Sequence, residues 1–147
     1  MKVPHGAAIV VADGGRFALF RNRGTPFDPD LELIEQEAAD FPKTSELGAD
    51  RPGRAFESVG ARRSAYEMTD IRDKVEEDYC RDIARRVEQL VAGTREGVLL
   101  VAAPRALGTI RDALSGEARA SLTAEVAKDY TGLSAAEVGR LLANLPD

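Results

Sequence analysis

The sequence has no tryptophan, one cysteine and one histidine, and only 5% of its residues are aromatic. A single cysteine, Cys80, excludes an internal disulfide and any multi-cysteine zinc site, and it suits a reducing compartment. His5, between Pro4 and Gly6, has no second histidine and no nearby cysteine with which to anchor a metal, so a structural role is expected of it. The shortage of aromatic residues leaves the core to Val, Leu, Ile and Ala. Near the start, the apolar run Ala7 to Ala12 stops at Asp13, too short for a signal-peptide core or a membrane span, so the expected location is the cytoplasm. Basic residues are also in deficit, 20 against 25 acidic, for a net charge of −5. That balance excludes a chain-wide electrostatic grip on nucleic acid and confines any such contact to a local patch. There is no internal repeat, no low-complexity linker and no GxSxG nucleophile elbow.

What is present fits one domain over residues 1–147, with 44% apolar residues and length enough to bury roughly two-thirds of the unfolded surface. Ala7 to Ala12, the Asp13-Gly14-Gly15 turn and Arg16 to Arg21 read as a β-hairpin with a central first strand. Leu31 to Ala38, rich in glutamate, reads as a third strand at an edge. From Asp70 the period changes: Ile71, Val75, Tyr79, Ile83, Val87, Leu90 and Val91 predict an amphipathic helix ending near Gly93, with Asp70 as its N-cap. Gly97 to Ala102 predicts a buried strand, and Pro104 opens a helix that Ser115-Gly116 stops. Leu122, Ala124 and Val126 predict a fifth strand. Ser134 and Glu137 form a capping box ahead of Val138, Leu141, Leu142 and Leu145. The order β-β-β-α-β-α-β-α, with right-handed crossovers, predicts an α/β ribonuclease H-like fold whose five-stranded mixed sheet is flanked by helices.

Between the third strand and the helix lies a long stretch, about 40–69, without apolar periodicity. It contains Gly53 and Gly60 and concentrates Arg51, Arg54, Arg62 and Arg63, opposed between 51 and 63 by Glu57 alone. We read it as a functional loop: its glycines permit close backbone approach, and its arginines offer planar donors for phosphate. Pairing with Glu46, Asp50, Glu57 or Glu67, which would order the loop, is an equal reading of Arg62 and Arg63. Asp13 is read as a turn former rather than a metal ligand, because two glycines follow it and no second acid appears in Val98 to Ala102. Cys80, at one edge of the helix's apolar face, is read as a buried, inert thiol. No metal or cofactor is assigned.

The run Glu46-Leu47-Gly48, Asp50-Arg51-Pro52-Gly53-Arg54, Phe56, Ser58, Gly60, Arg63-Ser64-Ala65, Glu67 resembles the bacterial host attachment protein family. The resemblance extends to Pro4-His5-Gly6, Val11-Ala12-Asp13-Gly14, Ala103-Pro104-Arg105, Lys128-Asp129 and Thr131-Gly132-Leu133. More distantly, a glycine-bearing loop leading into a long helix is similar to the middle domain of archaeo-eukaryotic peptide release factors. Gly60-Ala61-Arg62-Arg63-Ser64-Ala65 stands where that family has Gly-Gly-Gln followed by Ser-Ala, with Ala61 in place of the second glycine and Arg62 in place of the glutamine. The likeness implies RNA or ribosome binding, to a ribosome or tRNA, in translation or ribosome rescue. Arg51, Arg54, Arg62 and Arg63 would meet phosphate, and Gly53, Gly60 and Ser64 would shape the loop backbone. Because the glutamine is absent, peptidyl-tRNA hydrolysis is left open and no catalytic residue is assigned. The family name implies an alternative, a non-catalytic protein-interaction module that supports attachment to host cells, with a protein partner engaged through the 40–69 loop.

Overall fold

The computed structural model of the chain describes residues 1–39 and 57–146. Its strands are β1 (Ala8–Ala12), β2 (Arg16–Asn22), β3 (Leu31–Ala38), β4 (Val98–Ala102) and β5 (Ala124–Ala127). Its helices are α1 (Glu57–Gly93), α2 (Pro104–Ala113), α3 (Gly116–Ala120) and α4 (Ala135–Ala143). The sheet is mixed, in the order β3-β2-β1-β4-β5. β1 pairs antiparallel with β2, and β2 antiparallel with β3, through short connections. β4 lies parallel to β1, and β5 parallel to β4.

The apolar runs explain which strands are central. Every residue of β1 and β4 is buried, because helices cover both faces and neither strand can present an outward polar side. Alternate residues feed two cores. Ala8, Val10, Val98 and Leu100 join Cys80, Ile83 and Val87 of α1 and Leu107 and Ile110 of α2 on one face. Ile9, Val11, Leu99 and Val101 join Val138 and Leu142 of α4 on the other.

Three sequence expectations change here. The helix expected from Asp70 begins at Glu57, so Gly60, Arg62, Arg63 and Ser64 belong to helical backbone, and Asp70 is an interior residue rather than an N-cap. The remainder of the expected loop, 40–56, lies outside the described residues. The early turns of α1 were missed because their sequence has no apolar repeat of helical period. Among the side chains described on α1, the first buried one is Cys80, and Ile71, expected on the apolar face, is 45% exposed. Second, Ser115-Gly116 does end α2, but it also starts α3, where the Ser115 hydroxyl accepts from the Ala118 N–H at 3.0 Å. Third, the fifth strand begins at Ala124, and Leu122 packs against the α1-side core instead.

Candidate functional site

Because β1, β4 and β5 run parallel, their carboxyl ends share one edge of the sheet, and that is where loops can gather chemistry. Asp13 follows β1 directly. Its Oδ1 accepts from the Gly15 N–H at 2.8 Å, and its own N–H donates to the Arg16 carbonyl at 3.0 Å, which together make the hairpin turn. Its Oδ2 meets the Thr131 hydroxyl at 3.0 Å and Arg16 Nη2 at 3.3 Å. Arg16 Nη2 also donates to Thr131 Oγ1 at 3.0 Å, and the Thr131 N–H donates to Asp129 Oδ1 at 3.1 Å. The result is a clasp between the β1–β2 turn and the loop after β5. Gly132, at φ +83°, makes room for it, since a Cβ there would stand 3.1 Å from Arg16 Nη1.

Burial works against the charge on Asp13, but the donors from Gly15, Thr131 and Arg16 outweigh it and hold the carboxyl below its ordinary 3.8. Asp13 therefore serves the turn, as its sequence context predicts. No three or more His, Cys, Asp or Glu residues converge as metal ligands among the described residues. Behind the clasp sits α1. Burial, reinforced by Glu76 and Asp13, pushes the Cys80 thiol up to about 11, which leaves it un-ionised at neutral pH. The Tyr79 hydroxyl is buried with no hydrogen-bond partner among the described residues, and burial together with the nearby Glu37 and Asp13 keeps its phenol well above the ordinary range. His5 ties the chain start to the β2–β3 loop by donating from Nδ1 to the Gly24 carbonyl at 2.7 Å.

Two contacts fix where α1 crosses this edge. Asp73 meets Arg105, in the first turn of α2, at 3.4 Å, and the Glu76 carboxylate lies 3.2 Å from where a Cβ on Gly14 would be. The helix before Asp73 therefore leads away from the carboxyl end of the sheet for about four turns, roughly 24 Å of backbone. Gly60, Arg62, Arg63 and Ser64 fall in that part. Arg51, Gly53 and Arg54 lie outside the described residues.

On the α4 side, beside the clasp, a groove of about 250 Å³ runs between the sheet and the loop after β5. Ala18, Phe20 and Leu33 floor it, and Tyr130, Leu133 and Ala135 wall it. Leu33 is 43% exposed there. Sequence reasoning found neither the groove nor the clasp, whose members come together across 118 residues. The only available signal was that Asp13-Gly14 and Thr131-Gly132 both belong to the quoted resemblance.

The family described as protein required for attachment to host cells matches residues 8–142. No curated protein matches the chain.

Proposed function

The chain belongs to the family of proteins required for attachment to host cells, and on that premise we propose that it binds RNA or the ribosome surface through its arginine-bearing stretch. The observation that carries this reading is the length of α1. The helix continues past the carboxyl edge of the sheet, and the backbone of that continuation includes Arg62 and Arg63, away from the acidic body. In this reading Arg51, Arg54, Arg62 and Arg63 contact phosphate, while Gly53, Gly60 and Ser64 are backbone positions of the same surface. Strand order β3-β2-β1-β4-β5, three antiparallel strands followed by two parallel ones, supports a ribonuclease H-like fold and, through it, the likeness to the release-factor middle domain. The protein would act in the cytoplasm, in translation or ribosome rescue. Among the described residues, no helix is long and apolar enough to cross a membrane.

The test is co-sedimentation with ribosomes across a salt series, with wild type compared against Arg62→Glu, Arg63→Glu. Four arginines neutralise few phosphates, so binding should be weak; because it rests on those charges it should fall as salt rises, and the double variant should lose it. Binding that ignores both salt and the charge reversal would overturn the proposal. The family description favours a second reading, an interaction module that supports attachment, and cell fractionation separates the two. Recovery of the protein on the outer cell surface would favour attachment over the cytoplasmic role.

A further inference from the structure

β3 is the last strand of the sheet, and among the described residues nothing pairs with its outer N–H and C=O groups. Its side chains are sorted by face. Leu33 pairs with Phe20 and Gln36 with Ala18, while Glu32, Glu35 and Glu37 pair with Arg21, Leu19 and Phe17. Residues directly opposite one another share a face. Phe20 belongs to the α4-side core, which places Leu33 on that side, along the 250 Å³ groove that Gln36 also lines. Leu19 and Phe17 belong to the α1-side core, which places Glu35 and Glu37 there, and Arg21 alternates with Phe20 onto the same side, bringing Glu32 with it. A bulge creates this sorting. The register shifts so that Ile34 faces no partner on β2. Without that extra residue Leu33 and Glu35 would share a face.

The edge therefore offers carboxylates on one face and an open apolar groove on the other. Arg23 and Arg86 reach Glu32 and Glu35 at 2.7 and 2.6 Å, yet both carboxylates stay substantially exposed. β3 has three glutamates and no basic residue. We propose that β3 is a docking edge for an extended segment of a partner protein that alternates basic with apolar residues. Such a segment adds a strand to the sheet. Its basic side chains lie beside Glu32, Glu35 and Glu37, and its apolar ones lie beside Leu33 in the groove. A second copy of this chain is a poor occupant, because antiparallel self-pairing gathers both sets of carboxylates on one face. This surface is separate from the arginine stretch, and the inference does not depend on RNA binding.

The test uses a blocked synthetic peptide of alternating lysine and valine or leucine, an isomer with the same residues in two blocks, and a copy N-methylated on the pairing amides. Binding is followed by NMR, with amide exchange read across Leu31–Ala38. The alternating peptide should bind and slow exchange in β3. The block isomer and the N-methylated copy should bind at least about tenfold more weakly, as should the alternating peptide toward a Glu32→Lys, Glu37→Lys variant of verified fold. Equal binding of the two isomers, perturbation confined to residues away from β3, or no binding up to about 1 mM would each overturn the proposal.

Discussion

Asn22 organises the end of the sheet opposite the clasp. It is fully buried; its Nδ2 donates to the Val3 and Pro4 carbonyls at 2.8 and 3.3 Å, and its Oδ1 accepts from the Gly24 and Asp30 N–H groups at 2.8 and 3.0 Å. One side chain thus substitutes for strand pairing in two segments. Asn22→Ala should cost about 2–3 kcal/mol, because it strands buried backbone groups; a loss below about 0.5 kcal/mol in urea unfolding would show that water replaces the amide. Asp13 acts through charge. Its folded carboxyl titrates below 3.8, so its contribution is complete above that value and disappears as pH falls through the lower folded one. Asp13→Asn should therefore be less stable by about 1 kcal/mol at neutral pH, and the gap should close in strong acid. A gap unchanged at low pH would assign the effect to geometry instead. The Asp13 turn was legible from Asp-Gly-Gly, whereas Asn22 was not, since a lone asparagine after a strand looks like any turn residue.

Among the elements, α4 was the most legible. Ser134 and Glu137 form the capping box expected from their spacing, with the Glu137 N–H donating to Ser134 Oγ at 3.2 Å. Ser134→Ala should cost about 1 kcal/mol in thermal unfolding, and no loss would mean the box is redundant with the packing of Val138 and Leu142. β3 was legible as an edge from its glutamates, but its bulge was not, because a register shift depends on the partner strand. α3 is five residues long, too short to display a period. The start of α1 was hidden for a different reason: residues 57–69 carry Gly60 and no three- or four-residue apolar rhythm, so the pattern there holds no helix signal. Gly60→Ala tests that boundary directly. In helical backbone it should stabilise the protein by up to about 1 kcal/mol, whereas in a loop that needs positive φ it should destabilise it.

At the scale of the whole molecule, stability concentrates in the strands that see both cores. Leu100, fully buried between β1 and the α1-side helices, should lose about 3–4 kcal/mol as Leu100→Ala, and a loss under about 1 kcal/mol would mean that the core collapses freely around the gap. The central position of β1 also sets an order in time. Its pairing with β2 closes through a tight hairpin, but its parallel partner β4 lies about ninety residues further along the chain, and loop closure of that length is slow. During synthesis the β1–β3 meander emerges before β4, with the N–H and C=O groups on the inner edge of β1 still unpaired and its side chains, all buried in the finished fold, still uncovered. The nascent chain thus passes through an interval in which its future core is an exposed, pairing-competent strand. Its yield of soluble protein will depend on how quickly α1 and β4 arrive to close the sheet.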